Sequence, residues 1–504
     1  MEEEVDKPPD KRSCIVIQRP YPRRYKSKSV SFEGVYFKQY SSSEEDSVNK
    51  QDLCDRICLL PYIIQTKIKR KLRRCTSWVV VLATLYIYIP SIGTLFTYGV
   101  FLQTLEKDLH GNKAIMGWIG SIPLALLFGA NPLSSALIVK YGNRIVCMVG
   151  ILLMIFGLLV TSSANHVVLL FFSYSFACGI GANFIFNSTL QLVLNYFILD
   201  DNSHLAQRAI SIASMGIPIG YWAMQTIASY FFKSYDWRTV FRIMAATMSS
   251  SACTALSFVE QPKYNTLMKR YKKKNSSKGS AAKFLKRMFS KKLLSPSFTF
   301  WIIMIACVSF PIYFPPIYMN SYLEHTYKNT YMEFMRWLVL GELGGRLLLT
   351  ITPSSSDWKT CYYLPPATLA CGIANVCLPL TDSPLIYSLP IGVMIGMINA
   401  TLIVACRELF GRSYCQEAWT FSGVAQFISV LVGSMSFGYL FDINEDFSRV
   451  FSTIGILYFV GAFFVFLNCS ILRKRIKQTN SDVSESQRTS NASINQGTDS
   501  VFVI

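Results

Sequence analysis

Some twelve stretches of predominantly apolar residues follow one another along this chain, and that spacing constrains the fold more than any motif does. A helix needs about 20 such residues to cross a bilayer. The stretches cover 78–104, 115–139, 144–163, 167–195, 208–232 and 237–259, then 298–320, 331–352, 360–380, 385–407, 415–440 and 450–472. Their polarity is continuous rather than alternating, so a closed β-barrel is not expected. The sequence predicts an all-α membrane protein with twelve transmembrane helices.

Composition agrees: 51% of residues are hydrophobic and 16% charged, an unusual balance for a soluble chain of this length. The net charge of +19 suggests nucleic acid until its distribution is read. The basic residues concentrate in KIKRKLRR (67–74), in the acid-free connection 261–294 and in RKRIK (473–477). With twelve spans these three segments fall on one side, which the Lys/Arg bias makes cytoplasmic. Anionic lipid headgroups suit them as partners, whereas no nucleic-acid-binding module is present. The expected organisation is a cytoplasmic tail (1–77), six spans (78–259), a basic cytoplasmic linker (260–297), six more spans (298–472) and a second cytoplasmic tail (473–504).

The opening MEEEVDKPPDKRS is acidic and polar, so no cleavable signal peptide is expected and the first span should act as an uncleaved anchor. Within the first tail SSSEED need not fold, and ICLLPYIIQTKIKRKLRR (57–74) turns from apolar to basic, as a segment lying on the membrane surface would. The fourteen cysteines show no metal-ligand or redox spacing, so no cofactor is expected; Cys75 is a candidate for palmitoylation. The sequons at Asn187, Asn275, Asn399 and Asn491 fall in spans or cytoplasmic segments, so N-glycosylation is not expected. The terminal VFVI, with Phe502 and Ile504 apolar, suits a PDZ-type groove.

Chemistry concentrates in the eighth span, YMEFMRWLVLGELGGRLLLTI. Glu342 and Arg346 stand four residues apart near its middle and share one helix face. A mid-membrane Arg costs roughly 2.5–3.5 kcal/mol on insertion scales, and an acid costs similarly. Such charges usually face a cavity or the bundle interior and mark a functional site; the competing role is an ion pair that fixes helix packing. Glu333 and Arg336 are expected at the interface, and Arg407 and Glu408 at a span end with access to water. Asn183, Asn187 and Gln191 give the fourth span a polar stripe, which either lines a cavity or joins helices. FPIYFPPIYMN (310–320) is expected to break the seventh span at its prolines, which would bring Tyr313 and Phe314 toward a cavity. Lys140 and Arg144 flank a short cytoplasmic turn and are the candidate gating loop.

In a consistent order over about 78–475, the chain resembles the monocarboxylate transporter family of the major facilitator superfamily. NPLSSALIVKYGNRIVCMVGILLMIFGLLVTS (131–162) looks like its second-to-third-span connection, and GIGANFIFNSTLQLVLNYF (179–197) like its fourth span. ASMGIPIG (213–220), DWRTVFRIMA (236–245) and FGYLFDINEDFSRVF (437–451) are similar to its fifth span, the start of its sixth and its eleventh-to-twelfth connection. The resemblance implies the major facilitator fold, two six-helix halves, and carries the family's substrate-carboxylate role to Arg346 and its proton-coupling role to Glu342. Asn187 matches a family cavity position. A guanidinium presents a planar fork of donors matched to a carboxylate, and a partly buried carboxyl can load and release a proton.

The sequence departs from that family at three places. The acid-Gly-Gly-Trp-Gly-Trp entry to the first span is here RRCTSW, keeping only Trp78. The basic cluster expected after Tyr196-Phe197 is replaced by ILDDNSHLAQR. Phe96 stands where lactate and pyruvate carriers place a Lys that helps bind proton and anion, which makes Phe96 the third candidate substrate contact. One anchoring cation instead of two leaves room for a larger, aromatic or zwitterionic substrate.

The function expected from these residues is secondary or facilitative transport of a monocarboxylate or similar small organic metabolite, coupled to protons through Glu342, at the plasma membrane with both termini cytoplasmic. The alternatives are a facilitator of aromatic amino acids, thyroid hormone or creatine, and a non-transporting receptor or scaffold acting through its tails. No nucleophile–base constellation or phosphate loop indicates an enzyme. The family resemblance further implies a single-span immunoglobulin-type chaperone as a partner.

Overall fold

The computed structural model describes residues 31–32, 35–36, 76–109, 113–197, 203–256, 258, 295–326, 331–352, 359–380, 385–444 and 447–499. The surface-lying segment 57–74, the basic connection 261–294 and the terminal VFVI lie outside the described residues. The chain divides into two compact units, Met1–Arg73 and Arg74–Ile504. Within the first, the polar tail contains one short antiparallel pair, β1 (Ser31–Phe32) and β2 (Val35–Tyr36), with Ser31 opposite Tyr36 and Phe32 opposite Val35.

Every one of the twelve expected spans in the second unit falls on a helix or a pair of helices. They are α1 (Thr76–Leu102), α2 (Lys113–Gly129) with α3 (Asn131–Tyr141), α4 (Asn143–Ser162) and α5 (Val167–Phe197). Then come α6 (Ser203–Ser214) with α7 (Gly216–Phe231), and α8 (Trp237–Leu256). The later spans are α9 (Pro296–Thr326), α10 (Tyr331–Ile351), α11 (Thr360–Leu380), α12 (Leu385–Gly411), α13 (412–444) and α14 (Phe447–Asp499).

Local chemistry explains the punctuation. The second span bends by 46° between α2 and α3, where Pro132 enters the first turn of α3 and cannot donate to the preceding helix. Gly142 (φ 96°) separates α3 from α4, and Gly411 (φ 71°) separates α12 from α13; both adopt a backbone that costs a side-chain-bearing residue dearly. Among the described residues, seven helices are long and apolar enough to cross a membrane, or eight when the bent pair counts as one span. α10 misses that measure because it carries Glu333, Arg336, Glu342 and Arg346.

The expected break in the seventh span does not occur. α9 runs as one helix from Pro296 to Thr326 through Pro311, Pro315 and Pro316, since neighbouring groups in a helix bundle can take over the hydrogen bonds that proline forfeits. At the other end of the chain, the polar stretch after 477 continues α14 as helix to Asp499.

Polarity is distributed as a bilayer demands. Leu152, Phe156, Ile386, Phe463 and Phe466 are exposed, while Asn131, Ser135, Asn183, Asn187 and Thr189 are buried. In water that arrangement would be inverted; in hydrocarbon, apolar side chains face lipid and polar ones hydrogen-bond between helices.

Candidate functional site

Close approach of two helix backbones positions the charged pair. Gly341 and Gly345 on α10 meet Gly392 and Gly396 on α12. A Cβ at Gly345 would collide with the Val393 carbonyl oxygen, and one at Gly396 with the Glu342 carbonyl oxygen. Two small-xxx-small pairs thus let the backbones touch, and the Glu342 peptide rests directly on α12.

One turn further on, Arg346 reaches back along its own helix. Its Nη1 donates to Glu342 Oε2 at 2.6 Å and to the Glu342 carbonyl oxygen at 3.3 Å. The Arg346 side chain is 0% exposed and that of Glu342 is 19% exposed. Arg346 Nε and Nη2 are buried without a hydrogen-bond partner among the described residues. A guanidinium with two unpartnered nitrogens on one edge is a strong attractor for a carboxylate, whose two oxygens can accept from both in parallel.

The pair lines a cavity between helices from the two ends of the chain. Its walls are mainly apolar and aromatic, with Tyr88, Phe96, Phe128, Tyr221, Tyr313 and Trp419 among them. Besides the charged pair, polar groups come from Ser214, Asn399 and Gln426. Phe96 lies parallel to Tyr313 at 6.3 Å and an interplanar angle of 16°, and tilts against Tyr221 at 5.4 Å. Tyr313 also meets Phe128 at 5.5 Å. These rings bridge α1, α2 and α7 to α9. Toward the helix ends marked by Tyr141, Ser203 and Gly411, two further bridges join α3 to α13 and α6 to α12. Ser135 Oγ lies 3.2 Å from Thr420 Oγ1, and Gln207 Nε2 donates to the Ala400 carbonyl oxygen at 3.2 Å. These contacts join helices from the two ends of the chain around the cavity.

The structure brings three of the six candidate residues together: Arg346, Glu342 and Phe96 line the cavity. Asn187 does not line it. Its Nδ2 donates to Ser134 Oγ at 2.7 Å and Ser135 Oγ at 3.1 Å, and its Oδ1 accepts from Gln191 Nε2 at 3.1 Å. With Asn183, which donates to Asn131 Oδ1 and the Leu127 carbonyl oxygen, it ties α5 to α2 and α3. Of the two roles open to this stripe, the geometry is that of helix joining. Lys140 and Arg144 lie away from the cavity, at the end of α3 and the start of α4, with the Lys140 ammonium 4.9 Å from the Tyr141 ring centre.

Sequence reading missed Tyr88, Tyr221, Asn399, Trp419 and Gln426 as cavity residues. Each is a lone polar or aromatic residue in an apolar run, a pattern that helix packing also produces. The paired glycines of α10 and α12 were a readable signal, since small-xxx-small spacing recurs at 341/345 and 392/396.

Comparison with known proteins now fixes the family. A family model described as Major Facilitator Superfamily matches residues 84–434. The chain belongs to the major facilitator superfamily. Among curated relatives, this superfamily member is 24% identical to monocarboxylate transporter 2 of Mus musculus over 78% of its own length and 84% of the relative's. It is 23% identical to monocarboxylate transporter 1 of Bos taurus, covering 78% and 85%. Mus musculus monocarboxylate transporter 6 is 28% identical over a shorter match, 38% and 42%. The fold matches the proton:xylose symporter XylE bound to 6-bromo-6-deoxy-D-glucose, with a TM-score of 0.62 at 13% identity, covering 80% of this chain and 96% of that one. The superfamily member is thus a divergent, monocarboxylate-transporter-like, multi-pass membrane protein with two six-helix halves.

Proposed function

We propose that this protein is a secondary carrier that moves a monocarboxylate or similar small organic metabolite by alternating access, coupled to a proton. The buried Arg346 guanidinium carries this reading: one N–H is held by Glu342 and two donors stand unused in a cavity between the halves. With the site empty, ionised Glu342 neutralises Arg346. When Glu342 takes a proton, Arg346 is released to bind the substrate carboxylate. Two halves that rock about such a site then carry proton and anion together.

Proteins similar to this chain are named monocarboxylate transporters, which supports the substrate class. Basic segments at 67–74, 261–294 and 473–477 support a topology with both termini cytoplasmic, and we assign the protein to the plasma membrane. A second reading, a facilitator of larger substrates, is favoured by Phe96 and the aromatic walls around it. Uptake of labelled lactate and of a labelled aromatic amino acid into proteoliposomes at two pH values tests both. Proton coupling requires faster influx when the outside is acidified. A carrier of Arg346→Lys that reaches the membrane and transports normally would remove Arg346 from the mechanism.

A further inference from the structure

One wall of the cavity holds two polar groups that the protein itself leaves unsatisfied. Trp419 and Gln426 on α13 both line the cavity, yet they are only 5% and 3% exposed. Trp419 Nε1 and Gln426 Oε1 have no hydrogen-bond partner among the described residues. The other buried tryptophans do better: Trp237 Nε1 donates to Asp108 Oδ2 at 2.7 Å and Trp301 Nε1 to Ser422 Oγ at 2.8 Å. A buried indole normally finds an acceptor, because leaving its N–H unpaired is destabilising.

Position adds a second argument. Seven residues separate Trp419 from Gln426, close to two helical turns, so they share a face. Between them Gly423 is pressed against the opposing half, where a Cβ would collide with Asn131 Nδ2 and come within 2.6 Å of the Phe128 carbonyl oxygen. The α13 face bearing both residues is therefore held against the cavity by backbone contact, and neither side chain is turned toward lipid.

The unpartnered groups complement one class of solute. Arg346 Nε and Nη2 together with Trp419 Nε1 are donors, matched to the lone pairs of a carboxylate. Gln426 Oε1 is an acceptor, matched to an O–H or N–H beside that carboxylate. The aromatic walls formed by Phe96, Phe128, Tyr221 and Tyr313 suit a flat apolar body. Resting on the carrier reading above, we propose that Trp419 and Gln426 are specificity-determining residues, and that the substrate is a monocarboxylate with an aromatic body and a hydrogen-bond donor next to the carboxylate. The Trp419 indole holds the carboxylate, and Gln426 selects for the neighbouring donor group.

The test uses the full-length protein in proteoliposomes with three labelled probes: lactate, 3-phenyllactate and 3-phenylpropionate. The last two differ only by the hydroxyl. The wild type is expected to favour 3-phenyllactate over 3-phenylpropionate by about tenfold or more in kcat/KM, as one hydrogen bond in a dry site provides. Trp419→Phe should lower kcat/KM for both phenyl probes by about tenfold while keeping that preference. Gln426→Leu should erase the preference between the two phenyl probes. Gel-filtration profile and melting temperature of each variant separate loss of recognition from misfolding; a purely structural role would shift these and leave the preference untouched. Wild-type uptake of lactate but of neither phenyl probe would overturn the inference and leave the carrier reading standing. Unchanged selectivity in Gln426→Leu together with unchanged kinetics in Trp419→Phe would do the same. Absence of uptake for all three probes would overturn both.

Discussion

Removing either member of the Glu342–Arg346 pair should destabilise the protein, but only one of the two losses should depend on pH. In Arg346→Met the Glu342 carboxylate loses the guanidinium that donates to it at 2.6 Å. Removing one partner of a buried pair costs about 3–5 kcal/mol, less here because the side chain is 19% exposed to the cavity. A carboxylate left unpaired can shed its charge by taking up a proton, so this loss should ease on acidification. In Glu342→Gln the surviving charge is Arg346, which stays protonated at any working pH and is completely buried. Its penalty, about 3–5 kcal/mol for breaking a buried pair, does not change with pH. Melting temperatures of the purified protein and both variants at pH 5.5 and 7.5 read this directly. The deficit of Arg346→Met should shrink on acidification, and that of Glu342→Gln should stay constant. A pH-independent deficit in Arg346→Met, or a shrinking one in Glu342→Gln, would refute the claim that these two groups neutralise each other in the folded state.

Gly396→Val should abolish transport while the protein still reaches the membrane, because its side chain meets the Glu342 carbonyl oxygen and must push α12 off α10; surface labelling alongside uptake separates the two effects. Asn187→Ala removes hydrogen bonds to Ser134, Ser135 and Gln191. At roughly 0.6 kcal/mol each in a membrane, it should lower the melting temperature modestly and leave KM for lactate within about twofold. Phe96→Lys places a cation among Tyr221, Tyr313 and Phe128; it should depress uptake of aromatic probes relative to lactate, measured in competition.

Helix existence was the most legible layer, because a run of about 20 apolar residues has few fates other than crossing a bilayer. The Glu342–Arg346 pair was equally visible, since two charges amid such a run are costly enough to stand out. Asn187 shows where that reasoning stops. A polar residue in a span is worth noticing whether it meets a solute or a neighbouring helix, and only the position of Ser134 and Ser135 on α3 decides between them. Trp419 was invisible for the converse reason. A tryptophan in an apolar run reads as packing, and what sets it apart is whether its N–H finds an acceptor, which Trp301 does and, among the described residues, Trp419 does not. The prolines of α9 misled because a helix clamped among neighbours can lose several N–H groups without breaking.

The placement of both charges on one helix, one turn apart, bears on how a carrier avoids leaking. A site with Arg346 alone would carry a net positive charge through the low-dielectric middle of the membrane whenever it returned empty, at a cost that grows steeply with desolvation. With Glu342 four residues away, the empty site is neutral. Once Glu342 is protonated and an anion binds, the site is neutral again. Protonated without an anion, or occupied by an anion without a proton, it bears one unit of charge of either sign. The two neutral states are therefore the ones that can pass between orientations cheaply, and coupling of proton to anion follows from electrostatics without a dedicated relay. α10 carries both groups one turn apart, paired at 2.6 Å on a helix held to α12 by glycine contacts. A second basic group in the cavity, such as a lysine at position 96, would break this balance and make the empty site positive. On the proposed mechanism, an uncharged residue at position 96, as Phe96 is, keeps the empty site neutral.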